Sequence, residues 1–169
     1  MALFGRGGGP QPPRYRMRER AFAIGDDFWV EDEQGDRAFK VDGKALRIRK
    51  TFRLEDATGR ELATIKEKMV SVRDKMVIDL ADGRSATVSK RLLGIRQRYN
   101  VDVDGGADLQ AKGNFVEHDY EVESDGVTVA RISKKWFRVR DTYGIEVEPG
   151  ADAALIVAVA VCIDELAHD

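Results

Sequence analysis

The sequence predicts a mainly β protein, a closed antiparallel barrel with a central hydrophobic C-terminal helix, and three observations carry that prediction. From residue 28 onward the apolar residues recur with period two, which is the pattern of half-buried strands. Turn-forming Asp and Gly residues separate these runs, and three of the glycines, Gly35, Gly59 and Gly83, are spaced 24 residues apart, the length of one hairpin and its connection. Finally, Ala153 to Ile163 is a stretch of eleven residues without a polar side chain. With 169 residues in all, the chain is long enough for one sizeable core and short for two.

Taken in order, residues 1 to 13 are rich in Gly, Pro and Gln and have little to bury, so they read as a flexible tail, and residues 14 to 169 as a single domain. Gly7, Gly8 and Gly9 do not form a phosphate cradle, because no strand precedes them and Pro10, Pro12 and Pro13 forbid an immediate helix. Strands are expected near Phe28–Glu31, Ala38–Val41, Arg47–Glu55, Glu61–Lys68, Lys75–Leu80 and Arg84–Lys90. Five more follow near Arg96–Val103, Asp108–Gly113, Glu117–Ser124, Val127–Lys134 and Thr142–Glu148, about eleven in total. The intervening acids serve turns, since Asp bonds its own backbone and Gly takes positive φ at no steric cost. So many antiparallel strands must close on themselves or fold into a sandwich, because open edges invite aggregation.

The stretch from Ala153 is too short to span a bilayer as a helix, which takes about 20 residues. Its β-branched residues favour a strand, whereas its length and a ready N-cap at Asp152 favour a helix, and the helix is the better reading. A helix apolar on every side must be buried on every side, and inside an all-β domain that place is a barrel's interior.

Catalytic and metal chemistry find no foothold. A lone cysteine, Cys162, allows no intramolecular disulfide, and two distant histidines give no zinc spacing. Cys162 lies in the apolar stretch, where a thiol is inert. Asp102, Asp104 and Asp108 resemble the start of a calcium loop, but Gly113 stands where the bidentate Glu is needed. His118 sits between Glu117 and Asp119, yet adjacent strand residues point to opposite faces, so neither acid can orient it. The expectation is therefore no enzyme, no cofactor and no metal. The amino terminus lacks a signal peptide's apolar core, which makes a cytoplasmic location the expectation, with no transmembrane span.

The formal net charge is −2, from 28 Lys plus Arg against 30 Asp plus Glu, which argues against a polycation and against specific nucleic-acid binding. That sum conceals a lopsided distribution. Residues 47 to 100 hold 14 basic residues against 7 acids, whereas residues 101 to 169 hold 6 against 15. The candidate anion-binding or lipid-binding face consists of Arg47, Arg49, Lys50, Arg53, Lys66, Lys68, Lys90, Arg91, Arg96 and Arg98. The competing account makes the same residues the solvated outside of a barrel, paired with acids such as Glu55, Glu61 and Glu67.

Several runs resemble a known family. They are Gly113-Asn114-Phe115-Val116-Glu117-His118-Asp119-Tyr120, then Val129-Ala130-Arg131-Ile132-Ser133-Lys134-Lys135-Trp136-Phe137, then Asp141-Thr142-Tyr143-Gly144-Ile145, and finally Asp152-Ala153-Ala154-Leu155-Ile156-Val157 with Val161-Cys162-Ile163-Asp164. With Gly25-Asp26-Asp27-Phe28 and Val41-Asp42-Gly43-Lys44-Ala45, they resemble the LURP-one-related family, bacterial type, from about Tyr15 to Asp169. The resemblance implies a tubby-like fold, about twelve antiparallel strands closed around a central C-terminal helix, as in phospholipid scramblases. It implies no reaction. The expected role is a non-enzymatic module that contacts an anionic membrane surface or another polyanion, peripheral to the membrane, or alternatively a protein-interaction or scaffolding domain that docks a protein partner.

Overall fold

A computed structural model describes residues 12–18, 28–42, 51–70, 73–93, 96–114, 119–133 and 142–167. Twelve strands and one helix account for most of them. The strands are β1 (Arg14–Arg18), β2 (Phe28–Asp32), β3 (Arg37–Asp42), β4 (Thr51–Asp56), β5 (Glu61–Val70) and β6 (Arg73–Leu80). There follow β7 (Ser85–Leu93), β8 (Arg96–Asp104), β9 (Leu109–Asn114), β10 (Asp119–Ser124), β11 (Val127–Ser133) and β12 (Thr142–Val147), then the helix α1 (Ala153–Ala167). Each strand pairs antiparallel with the next, and β1 pairs with β12, so the sheet closes into a barrel with no free edge.

The eleven expected strands correspond to β2 through β12, and the portions at 47–50, 117–118 and 134 lie outside the described residues. The sequence reading missed β1, which closes the ring by pairing Arg14 to Arg18 against Glu146 to Thr142. Asp/Gly chemistry shapes the turns as expected. Asp56 Oδ1 accepts from the backbone N–H of Thr58 at 2.9 Å and of Arg60 at 3.0 Å, while Gly59 takes φ of 89°. Asp32 does the same for Gln34 and Asp36.

Alternate residues point inward, as in Phe52 and Leu54 on β4, Ala63 and Ile65 on β5, and Ala86 and Val88 on β7. They meet α1, whose residues Leu155 through Leu166 are all buried without a break. A helix covered on its whole circumference fits only at the barrel's centre. Asp152 caps it, its Oδ1 accepting from the N–H of Leu155 at 3.2 Å. The helix outruns the apolar stretch: Asp164 and Glu165, which follow that stretch, lie inside the helix and are buried, Asp164 to 1% exposure.

Strand β7 and the residue before it grip both ends of α1. The Arg84 guanidinium bridges Asp82 at 2.7 Å and the capping Asp152 at 2.5 Å, and the Lys90 ammonium donates to the Leu166 carbonyl at 3.0 Å. The spans agree. Residues 84 and 90 are roughly 20 Å apart along a strand, and 152 and 166 roughly 21 Å apart along a helix. A cation at the last turn also offsets the helix's negative end.

Near that end the barrel wall carries a buried polar group. The hydroxyls of Tyr99 and Tyr120 both donate to Gln97 Oε1, at 3.2 and 2.9 Å. Their rings meet edge to face, with centroids 5.8 Å apart. Gly113 lies opposite both Gln97 and Tyr120, where any Cβ would run into the Tyr120 ring and approach the Asp119 carbonyl to 2.7 Å. Burial, with Tyr120 and Asp164 nearby, pushes the Tyr99 phenol well above its ordinary range, so it stays a neutral donor.

Candidate anion-binding face

Because inward and outward residues alternate, cross-strand register decides which charges meet on the outside of the barrel. One outer row crosses seven strands. It runs Arg91 (β7), Arg98 (β8), Lys112 (β9), Glu121 (β10), Arg131 (β11), Glu146 (β12) and Arg14 (β1), each directly opposite the next. Its second half alternates in sign, and Arg14, Arg131 and Glu146 within it are ion-paired. Glu146, only 8% exposed, holds Arg14 at 2.8 Å and Arg131 at 3.6 Å. Its first half is three cations in succession.

Arg91 and Arg98 form no ion pair with a described residue, and Lys112 reaches diagonally to Glu123 at 3.2 Å. Arg91 is exposed and Arg98 half-buried. A third like-charged pair, Lys68 opposite Lys75, stands one row nearer the Asp/Gly turns, and along that row Ser89, Asn100 and Gln110 separate it from Glu123. Like charges directly opposite each other on a sheet are destabilising. Three such cationic pairs, Arg91–Arg98, Arg98–Lys112 and Lys68–Lys75, lie on β5–β9, whereas the like-charged pair elsewhere among the described strand pairings, Glu55 opposite Glu61, is acidic.

Six of the ten predicted residues have described side chains, and of these Arg91 and Arg98 stand directly opposite each other. Arg47, Arg49 and Lys50 lie outside the described residues, and only the backbone pairing of Arg96, with Leu93 and Asn114, is described. Arg53 is exposed on β4 but opposes Thr64, whose next neighbour is Asp79. Lys66 and Lys68 are exposed on β5. Lys90 stands apart, turned toward the interior with Ala86 and Val88 to hold the end of α1. Arg91 and Arg98 come together. Two partners were missed, Lys75 and Lys112. Lys112 belongs to the acidic part of the chain, and only the register of the β8–β9 hairpin brings it beside Arg98.

The same strands turn acidic toward the Asp/Gly turns, where Asp102, Asp108, Glu123 and Asp125 surround an open depression. Asp108 serves its own turn, its Oδ1 accepting from the N–H of Val103 at 2.8 Å. Among the described residues no group of three or more His, Cys, Asp or Glu is placed to hold a metal. Burial, with Glu165 nearby, pushes the Cys162 thiol far up, which removes it as a nucleophile. His118 lies outside the described residues.

Comparison with known proteins adds the family. A model of the LURP-one-related family matches residues 14–164. The chain belongs to that family. Within and beyond it, the LURP-one-related chain is similar to the uncharacterized protein YxjI of Bacillus subtilis, at 22% identity over 94 residues. That match covers 53% of this chain and spans 58% of the relative's length. An X-ray structure of an Arabidopsis thaliana protein aligns with a TM-score of 0.59 at 18% identity, covering 93% of this chain and 92% of that one. That likeness establishes the shared fold. No helix among the described residues of the LURP-one-related domain is long and apolar enough to cross a membrane.

Proposed function

We propose that this LURP-one-related domain is a binding module without catalytic chemistry, whose cationic outer wall contacts anionic lipid headgroups from the cytoplasmic side. The observation that carries the reading is the Arg91–Arg98–Lys112 run, three adjacent cations in a row that elsewhere alternates in sign. A polyanion would supply the counter-charge the sheet omits. Lys68 and Lys75 extend the patch. At about 1 kcal/mol per cation near a charged surface, five side chains give roughly 5 kcal/mol, enough for reversible peripheral attachment. Among the described residues the one exposed large apolar side chain is Val127, at 66%, so the attachment is electrostatic rather than insertive.

Sedimentation with vesicles at physiological salt tests this. Vesicles containing an anionic lipid should carry the protein down, and Arg91→Ser with Arg98→Ser should abolish that. Equal recovery with neutral and anionic vesicles overturns the reading.

A second reading, a protein-interaction or scaffolding domain, is favoured by the carboxylates around Asp102 and Asp125 on the same wall, which would give a partner a surface of two signs. A stoichiometric protein partner retained at salt that strips vesicles away would support it.

A further inference from the structure

We propose that Arg91, Arg98 and Lys112 form a discrete site for a lipid headgroup ending in a phosphomonoester, and that Glu123 restrains it by holding Lys112. The inference rests on the lipid-binding reading above and narrows it from a charged surface to one chemical group. Neighbouring positions on a row stand roughly 5 Å apart, so the three cations arise within roughly 10 Å on three consecutive strands. Long flexible side chains from such positions can converge on a single group. Two of them are guanidiniums, each a planar fork of donors suited to two oxygens of one phosphate.

Three cations ask for a ligand with more than one negative charge and more than two accepting oxygens. A phosphodiester headgroup brings a single charge and two such oxygens. A phosphomonoester brings close to two charges at neutral pH and three terminal oxygens, matching both requirements.

Lys112 is committed differently from the arginines. Its ammonium lies 3.2 Å from Glu123, which pairs with Gln110 in the regular β9–β10 ladder, so the contact is the ordinary diagonal between adjacent strands. A phosphate bound between Arg91 and Arg98 has to draw Lys112 away from Glu123, so the acid weakens binding without touching the ligand. Glu123 is then a positioning residue, and its removal should strengthen the site.

The test uses the full chain with phosphatidylcholine vesicles carrying either phosphatidic acid or phosphatidylglycerol at matched surface charge. Phosphatidic acid is expected to bind about tenfold more tightly. Arg98→Lys keeps the charge and loses the fork, so it should lower phosphatidic acid binding toward the phosphatidylglycerol level. Glu123→Gln should tighten phosphatidic acid binding about threefold, with less effect on phosphatidylglycerol. Equal binding to both lipids, each above phosphatidylcholine, overturns the phosphomonoester site and leaves the broader lipid reading standing. Binding to neither overturns both. If glycerol phosphate alone binds as tightly as phosphatidic acid vesicles do, the ligand is a soluble phosphomonoester and the lipid assignment falls.

Discussion

Two halves of a single outer row show how one barrel uses charge in two ways. From β10 round to β1 the sequence Glu121, Arg131, Glu146, Arg14 alternates, and Glu146 is held from both sides. From β7 to β9 the row is Arg91, Arg98, Lys112 with no acid between them. The alternating half reinforces the seam where the first and last strands meet. The cationic half works against the sheet that carries it. Backbone, strand pairing and row height are shared, so the contrast lies in the side chains alone, and it is the contrast on which the proposed attachment rests.

The contrast depends on a barrel that holds its register, and register depends on the filled interior. Breaking the interior should therefore erase both halves together. Val159 on α1 is fully buried, and Val159→Asp would place an uncompensated charge at the barrel's centre, at a cost of about 4 kcal/mol. Loss of the cooperative thermal transition and of strand circular dichroism is the expected result. A stable, soluble variant would contradict the central helix.

The paired half should respond next most strongly. Glu146→Gln removes the carboxylate that Arg14 and Arg131 share while keeping its shape, and should cost about 1 to 3 kcal/mol, read as a lowered urea midpoint at unchanged slope. Vesicle binding should be untouched. A stability loss near zero would mean the alternating half contributes no more than an exposed surface pair.

How much of this was legible in the sequence follows from which physics is local. Period two and Asp/Gly turns are local, and they located β2 to β12. Strand β1 escaped because Arg14-Tyr15-Arg16-Met17-Arg18 is three-fifths arginine, and only closure against β12 gives Tyr15 and Met17 an interior to face. The apolar stretch ends before the helix does, because the barrel also buries the charged Asp164 and Glu165. The site was the least legible. Arg91 and Arg98 sat in a visible basic segment, but Lys112 joined them only through hairpin register, which is a long-range property. Lys90 could have been separated earlier, since it shares parity with Ala86 and Val88 on β7 and so had to point inward.

That parity gives a smaller and sharper prediction. Lys90 and Arg91 are neighbours on β7 with opposite duties, one fastening the helix and one facing the solvent. Lys90→Met loses the bond to the Leu166 carbonyl but keeps the apolar stem, so it should cost about 1 kcal/mol of stability and leave vesicle binding unchanged. Weakened binding in a fully folded Lys90→Met protein would place Lys90 in the site and dissolve the distinction between the two residues.

The smallest effect carries the most information because its two readouts move in opposite directions. Arg98→Glu converts the run into Arg91, an acid and Lys112, which gives β7–β9 the alternation already present from β10 to β1. Replacing two like-charged pairs by two complementary ones should stabilise the protein by a few tenths to about 1 kcal/mol, measured in low salt and in the absence of lipid. The same substitution should abolish binding to anionic vesicles. A residue whose loss improves the fold and destroys the attachment is held for the attachment. If Arg98→Glu instead destabilises the barrel, the three cations are structural in a way that their like-charged register does not convey, and the row's two halves would no longer represent different uses of charge.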